Sequence, residues 1–163
     1  MNVRRCQTHD VPAVARLLDE ATVWVGERGY EQWPLPYPWE EIAAAVERGE
    51  VYLAELGGDV VATVTLLWDD TPHWGERPPD AAYVHKLAVS RACAGRRIGH
   101  AIVEWADATA AANGRFFLRL DCLRTNPGIR KYYEELGFEH RGDEIVNGRD
   151  LSLYERTVHA RGN

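Results

Sequence analysis

One stretch decides the fold: AAYVHKLAV (residues 81–89) runs directly into SRACAGRRIGHA (90–101). The first part is a nearly unbroken apolar run, which is typical of a buried strand. Apolar residues at helical spacing after Ile98 predict a helix, and FFLRLD (116–121) alternates as a strand does. A strand, a helix and a strand in this order predict a parallel, right-handed crossover at the centre of a sheet.

The turn between the first strand and the helix contains the residues that indicate a ligand-binding site. Gly95 and Gly99 allow the backbone to approach a ligand closely, and Arg96 and Arg97 add positive charge. Unpaired N–H groups at a helix start attract anions, so the turn is a candidate phosphate site. The chain contains neither a P-loop nor a G-x-G-x-x-G dinucleotide motif. The alternative is a structural turn whose arginines are solvated.

Further elements extend this centre along the chain. The runs VYLAEL (51–56) and VVATVTLLW (60–68), separated by Gly57-Gly58-Asp59, predict an antiparallel hairpin. The other predicted elements are a strand at 2–6, helices starting at Asp10, Trp39 and Asn126-Pro127, and two strands around Asn147-Gly148. We therefore expect an α/β (α+β) fold with a mixed, mostly antiparallel sheet of about six to seven strands and about four helices.

Length and composition limit the classes of function. The chain has 163 residues, 45% of them hydrophobic and 27% charged, so we expect one folded domain over 1–163. Since no apolar run approaches the ~20 residues of a membrane span, we expect a cytoplasmic protein with no membrane partner. The formal net charge of −6 disfavours a nucleic-acid partner. Cys6, Cys93 and Cys122 lack zinc-site spacing, so we expect small buried hydrophobes and no metal.

Two motifs make the chain resemble the GCN5-related N-acetyltransferases (GNAT). In that family a Leu-x-Val-like strand end is followed by Gln/Arg-x-x-Gly-x-Gly/Ala at a helix start, which Leu87-Ala88-Val89 and Arg96–Ala101 match. The second signature, an Asn before a helix that ends in Tyr-Glu-x-Leu-Gly-Phe, is matched by Asn126 and Tyr133–Phe138. Arg97 stands where the family often has glycine. The resemblance covers nearly the whole chain in element order and implies the GNAT fold.

The resemblance implies a binding site for acetyl-CoA. The backbone of Leu87, Ala88 and Val89 would bond the pantetheine arm, beside a β-bulge in that strand. The pyrophosphate would lie on the turn and helix start, whose residues are Gly95, Arg96, Arg97, Ile98, Gly99, His100 and Ala101. Asn126 would contact pantetheine, although Asn-Pro is also a suitable N-cap pair and the cap alone is the alternative.

Two residues are candidates for proton transfer. Tyr133 resembles the family's general acid, and a phenol with a pKa near ~10 can protonate a departing coenzyme A thiolate at neutral pH. His85 lies on the same strand face as Leu87, and its reference pKa of ~6.5 suits a base. The alternatives are a Tyr133 packed in the core and a structural His85. Cys122 as an acyl carrier is poorly supported.

Aromatic residues near the 24–39 loop and the 69–80 insert are candidates for the acceptor site. They are Trp24, Tyr30, Trp33, Trp68 and Trp74. These rings would suit a cationic amine through cation–π contacts, and the net negative charge of the chain would attract it. Tryptophans that only anchor the loops are the alternative.

These observations favour an acetyl-CoA-dependent N-acetyltransferase that acts on a primary amine of a small molecule, without a metal. Acetylation of a protein N-terminus or lysine is one alternative, although the aromatic, proline-rich 24–39 loop argues against an open peptide groove. A non-catalytic acetyl-CoA-binding sensor is the other alternative, and the presence of Tyr133 argues against it. A homodimer is compatible with the sequence.

Overall fold

A computed structural model describes residues 1–159. The strands are β1 Asn2–Arg5, β2 Val51–Leu56, β3 Asp59–Leu67, β4 Ala81–Val89, β5 Phe117–Leu123, β6 Glu139–Val146 and β7 Arg149–Thr157. The helices are α1 Val11–Gly26, α2 Trp39–Glu47, α3 Thr71–Trp74, α4 Ile98–Ala112 and α5 Pro127–Glu135. Short 3-10 turns, Thr8–Asp10 and Arg91–Cys93, precede α1 and α4.

The strands form one seven-stranded sheet in the order β1-β2-β3-β4-β5-β7-β6. The pairs β1·β2, β2·β3, β5·β7 and β6·β7 are antiparallel, and β4 runs parallel to β5. Because parallel neighbours need a crossover, the chain passes through α4 between them. The predicted α/β (α+β) class with a mixed, mostly antiparallel sheet is confirmed.

The parallel pairing of β4 with β5 is short. Within the described residues it joins Ala81–Tyr83 to Phe117–Arg119. Further along β4, Lys86 has a φ of 50°, a left-handed backbone conformation that interrupts a regular strand. β4 therefore has a regular, paired first part and an irregular second part, at the place where the resemblance implied a β-bulge.

The chain divides into two compact units, and the first consists of Met1–Leu66 and Lys86–Val103. Val14, Leu17 and Leu18 recur along α1 at helical spacing, and all three are buried. They pack with apolar residues of α2 and β2 in one core, as the amphipathic pattern predicts. The α1 pattern therefore sets which face of this helix covers the sheet.

The second unit consists of Leu67–His85 and the described residues from Glu104 onward. Leu118 and Leu120 of β5 and Leu151 of β7 are at most 2% exposed. Alternation along β5 then sets Arg119 and Asp121 on the other face of this strand. The register of the β5·β7 pair therefore decides which polar side chains of β5 can enter a site.

Two elements differ from the predictions. α1 continues through Trp24 to Gly26, although the break in the apolar pattern predicted a loop from residue 24. The insert 69–80 contains a fifth helix, α3, whose single turn is too short to show helical periodicity. The single domain predicted over 1–163 stays a prediction, and residues 160–163 lie outside the described part of the chain.

None of the helices in residues 1–159 is both long enough and apolar enough to cross a membrane.

Candidate active site

A cluster of four side chains forms around His85 in the second unit. Asp70, the N-cap residue of α3, is 5% exposed and accepts hydrogen bonds from two imidazole rings. His85 donates from Nε2 to Asp70 Oδ2 at 2.7 Å, and His73 donates from Nδ1 to Asp70 Oδ1 at 2.8 Å. The ring centroids of His73 and His85 lie 5.1 Å apart. One carboxylate therefore fixes the orientation of both rings.

Asp121 of β5 lies on the other side of the two rings. Its Oδ2 is 3.6 Å from His85 Nδ1 and 4.0 Å from His73 Nε2. The side chain is 10% exposed, and within the described residues its buried Oδ2 has no hydrogen-bond partner. Because Asp70 accepts a hydrogen bond from each ring, a neutral ring keeps its lone pair on the nitrogen that faces Asp121.

The two carboxylates set the charge of this cluster. Burial acts to raise the pKa of Asp70, but the hydrogen bonds from His73 and His85 outweigh it, and the pKa lies well below its ordinary value. The hydrogen bond to Asp70 raises the pKa of His73 above its ordinary value. The space between Asp70 and Asp121 therefore favours a proton or another positive charge.

Tyr133 lies in α5 of the same unit and is 8% exposed. Its ring makes T-shaped contacts with Tyr132 at 5.3 Å and with Phe138 at 5.8 Å between centroids. Burial raises the pKa of Tyr133 well above its ordinary value, and the negative charge of Asp121 adds to this effect. The hydroxyl is therefore protonated at neutral pH, as the role of a proton donor requires.

α5 is fixed in place by β7 and by its own cap. The fully buried Tyr154 donates from its hydroxyl to Glu134 Oε1 at 2.7 Å and accepts from Arg130 Nε at 3.0 Å. Asn126 is the N-cap, and its Oδ1 accepts from the Ile129 amide at 3.2 Å. The cap uses only the oxygen of the Asn126 side chain, so the amide NH₂ group is the part that could reach pantetheine.

The turn before α4, in the first unit, is exposed in its first part and buried where the helix starts, at Ile98 and Gly99. Gly95, Arg96 and Arg97 are exposed, and the φ of Arg97 is 58°. The first hydrogen bond into the helix runs from the Ala101 amide to the Arg97 carbonyl at 3.1 Å. The amides of Ile98–His100 come before it and have no acceptor inside the helix. Amides of this kind can bind an anion, and the phosphate site at this turn stays a prediction.

The residues predicted to hold pantetheine lie at the end of β4, also in the first unit. Ala88 is buried, whereas Leu87 and Val89 are partly exposed. The Ser90 amide, which follows them, donates to the Val61 carbonyl at 2.8 Å. Of these three side chains, that of Ala88 packs in the core of the unit, and a main-chain contact of Leu87–Val89 with pantetheine stays a prediction.

The aromatic residues of the first unit already contact other side chains. Arg28 and Arg91 place their guanidinium carbons 3.6 and 4.0 Å from the centroid of a Trp24 ring. Tyr30 is partly exposed, and Trp33 packs against the core of this unit. A cationic acceptor at Trp24 would have to displace an arginine, so the acceptor role of these residues stays a prediction.

In the second unit, Trp74 is 5% exposed and packs edge-on against Tyr83 at 6.2 Å. The buried guanidinium of Arg119 lies 5.2 Å from a Trp74 ring centroid, and that of Arg115 lies 5.5 Å from a Trp68 ring centroid. These contacts anchor the 69–80 insert, which is the alternative role given above.

The three cysteines are free and buried, as predicted. Burial raises the pKa of Cys122 to about 12, and burial likewise raises the pKa of Cys6 to about 12. A thiol with such a pKa holds too little thiolate at neutral pH to act as a nucleophile. The structure therefore gives no support to Cys122 as an acyl carrier.

Asp70, His73 and Asp121 were missed by sequence reasoning. Asp70 and His73 lie in an insert whose composition indicates only a polar loop, and Asp121 ends the quoted strand FFLRLD. The one available signal is the Asp-x-x-His spacing at residues 70–73, which places two polar side chains on one helical turn. Only the fold brings this turn next to β4 and β5.

Comparison with known proteins identifies the family of the chain. The model of the Acetyltransferase (GNAT) family matches residues 13–138. YesJ of Bacillus subtilis (strain 168), an uncharacterized N-acetyltransferase, is 26% identical over 159 residues, which is 93% of this chain and 87% of YesJ.

Solved acetyltransferase structures are similar to this chain in fold. A GNAT-family acetyltransferase from Listeria monocytogenes 4b F2365 has a TM-score of 0.80 and 27% identity, over 96% of this chain and 94% of that one. N-acetylglutamate synthase from Neisseria gonorrhoeae, solved with coenzyme A and N-acetyl-glutamate, is similar in fold. Its TM-score is 0.72 at 18% identity, over 98% of this chain and 35% of that one. The chain belongs to the acetyltransferase (GNAT) family and is an N-acetyltransferase.

Proposed function

We propose that the chain transfers the acetyl group of acetyl-CoA directly to a primary amine of a small molecule. The observation that supports this proposal is that one compact unit holds both His85 and Tyr133, which suit the roles of proton acceptor and proton donor. Asp70 holds the His85 ring through Nε2 at 2.7 Å, which leaves Nδ1 to accept a proton. A protein that only senses acetyl-CoA needs neither group.

Direct transfer requires that the acceptor nitrogen lose two protons and that the leaving thiolate gain one, and it needs no enzyme nucleophile. The ammonium group of the acceptor gives a proton to His85 Nδ1, and the free amine attacks the thioester carbonyl. The C–N bond forms, the C–S bond breaks, and the leaving thiolate takes the proton of the Tyr133 hydroxyl. The nitrogen of the new amide loses its second proton to water, the phenolate regains a proton from solvent, and His85 releases its proton to solvent. One proton is therefore released overall for each acetyl group transferred.

The donor proposal rests on the family and on the turn before α4. Members of the family use acetyl-CoA, and the synthase from Neisseria gonorrhoeae was solved with coenzyme A. The amides of Ile98–His100, which have no acceptor inside the helix, and the charges of Arg96 and Arg97 suit the pyrophosphate. In the first unit, the main chain of Leu87–Val89 is the proposed contact to pantetheine.

Calorimetry with acetyl-CoA tests the donor site. Gly99→Glu places bulk and negative charge where the phosphates would lie, and we expect the affinity to fall by at least about 10-fold. Gly26→Glu, at the exposed end of α1, controls for the added charge. Because Gly99 is buried, circular dichroism of Gly99→Glu is the control for folding. Wild-type protein that does not bind acetyl-CoA, or equal affinities for the two variants, would contradict the proposed site.

A thiol-release screen tests the acceptor. Polyamines, amino acids, aminoglycosides and peptides are each mixed with acetyl-CoA and the protein, and free coenzyme A is measured. Release with a small amine supports the proposal. Release with peptides alone would favour acetylation of a protein N-terminus or lysine, and binding of acetyl-CoA without release would favour the sensor.

The remaining expectations stay predictions. They are a cytoplasmic location, a homodimer, and the absence of nucleic-acid and membrane partners. The net charge of −6 is what supports a cationic acceptor over an anionic one.

A further inference from the structure

The cluster around His85 points to a ligand that acetyl transfer does not require. We propose that His73 Nε2, His85 Nδ1 and Asp121 Oδ2 bind one divalent transition-metal ion, with Zn²⁺ the best match. Asp70 then lies behind the two rings as the outer partner that orients them. The ligands come from α3, β4 and β5, which is why sequence spacing gave no indication of a metal site.

The first observation is the convergence of the three atoms. Asp70 occupies one nitrogen of each ring, at 2.7 and 2.8 Å, and turns the other nitrogens toward Asp121. Asp121 Oδ2 is 3.6 Å from His85 Nδ1 and 4.0 Å from His73 Nε2. In all, four residues each offer a ligand atom within 4.8 Å of the others. Two ring nitrogens and a carboxylate oxygen thus lie close together, and a cation or a proton donor relieves the repulsion between their lone pairs.

The second observation is the state of Asp121. Its side chain is 10% exposed, and its buried Oδ2 has no hydrogen-bond partner within the described residues. A buried carboxylate oxygen without a partner is costly, and such groups are normally paired or bound to a metal. This oxygen lies 3.6 and 4.0 Å from the two ring nitrogens, so its lack of a hydrogen-bond partner is a second indication of a missing cation.

Distances favour a metal ion over an ammonium group. Zinc bonds of about 2.0–2.2 Å place tetrahedral ligand atoms about 3.4 Å apart. An ammonium nitrogen about 2.8 Å from each acceptor would place the acceptors about 4.6 Å apart. The observed separations from Asp121 Oδ2, 3.6 and 4.0 Å, are on average closer to the metal spacing.

The donor set selects the class of metal. Two imidazole nitrogens and one carboxylate suit Zn²⁺ and related transition metals, whereas Mg²⁺ and Ca²⁺ prefer oxygen ligands. Imidazole ligands commonly donate their second N–H to a carboxylate, and Asp70 makes this contact with both rings. Three protein ligands leave a further coordination position open to water or substrate.

The metal site does not depend on the proposed function. Both use His85 Nδ1, so a bound ion and a transferred proton exclude each other on that atom. Metal binding can be measured without acetyl-CoA, and a failure of one proposal is therefore distinct from a failure of the other.

The test is calorimetry with Zn²⁺ on the full chain after treatment with a chelator. We expect one ion per chain. Asp70→Asn is expected to weaken binding about 10- to 100-fold, as loss of an outer partner does, and Asp121→Asn or His73→Gln by more. His140→Gln is the matched control, because His140 pairs with Asp143 at 2.8 Å on an exposed strand and should leave the affinity unchanged.

The visible absorption spectrum of the wild-type protein with Co²⁺ reports on the coordination of the ion, and it can be measured even if a variant fails to fold. Intense visible absorption typical of a low-coordinate ion supports the proposal, whereas the weak spectrum of hydrated cobalt overturns it. No zinc binding, or binding lost in His140→Gln and kept in Asp121→Asn, also overturns it. Binding of methylamine in place of zinc, dependent on Asp121, would assign the site to an ammonium group instead.

Discussion

Tyr133 can be tested by the removal of one atom. Tyr133→Phe keeps the ring contacts with Tyr132 and Phe138 and loses the hydroxyl that would protonate the thiolate. We expect kcat to fall about 10- to 10⁴-fold while the KM for acetyl-CoA stays nearly unchanged. Steady-state thiol release measures both, and Tyr132→Phe is the control for loss of a neighbouring hydroxyl. An unchanged kcat would assign the proton donor elsewhere.

Asp10 gives a second test at the scale of a residue, this time on stability. Two hydrogen bonds from Arg4, at 2.8 and 3.0 Å, lower the pKa of Asp10 from 3.8 to about 2, against the opposing effect of burial. The Gln7 amide also donates to Asp10 at 2.8 Å. Because Arg4 is 32% exposed, solvent screening weakens the pair, and we expect Asp10→Asn to cost about 1–2 kcal/mol at neutral pH.

The stability lost in Asp10→Asn should depend on pH in a direction that follows from the lowered pKa of Asp10. A carboxyl whose pKa is lower in the folded chain stabilises it above the unfolded pKa, and this contribution disappears as the pH falls through the folded pKa. The difference in unfolding free energy between wild type and Asp10→Asn should therefore shrink between about pH 4 and pH 2. Urea unfolding measures it, with the exposed Asp59→Asn as control. A difference that stays constant over this range would show that the ion pair is not its source.

At the scale of elements, the start of α5 separates two roles of Asn126. Its Oδ1 caps the helix, and its NH₂ group is the predicted contact to pantetheine. Asn126→Ser keeps a capping oxygen, so we expect unchanged stability but weaker binding of acetyl-CoA. Asn126→Ala should lose both the binding and about 1 kcal/mol of stability. Thermal unfolding and calorimetry measure the two effects, and wild-type affinity in Asn126→Ser would leave the cap as the only role.

The turn before α4 explains why the family often has glycine where this chain has Arg97. Its φ of 58° is left-handed, which costs a non-glycine residue about 1–2 kcal/mol. Arg97→Gly and Arg97→Ala remove the same charge, so their affinities for acetyl-CoA should fall equally. We expect Arg97→Gly to be the more stable variant by about 1 kcal/mol in urea unfolding. Equal stabilities would show that the left-handed backbone is not kept in solution.

At the scale of the whole molecule, the features that could be predicted from the sequence are those that depend on local sequence patterns. The central crossover, the hairpin and the turn before α4 follow from apolar runs, glycines and caps that lie within a few residues of each other. Asp70, His73 and Asp121 could not be found in this way. Asp70 and His73 lie more than ten residues before His85 in the sequence, and the strand face on which Asp121 lies depends on the register of β5. Their meeting is a property of the sheet order.

The net charge of −6 leads to a prediction about the whole molecule. An acidic protein attracts cationic amines over long distances, and salt screens this attraction as the Debye length shrinks from about 14 Å at about 0.05 M to about 4 Å at about 0.5 M. We expect kcat/KM for a dicationic amine to fall by about 3- to 10-fold over this range. A zwitterionic amino acid of similar size is the control, because it carries no net charge and should respond little. An equal loss for both acceptors would place the salt effect on acetyl-CoA binding at the Arg96-Arg97 turn, and a better rate with the zwitterion at low salt would contradict a cationic acceptor.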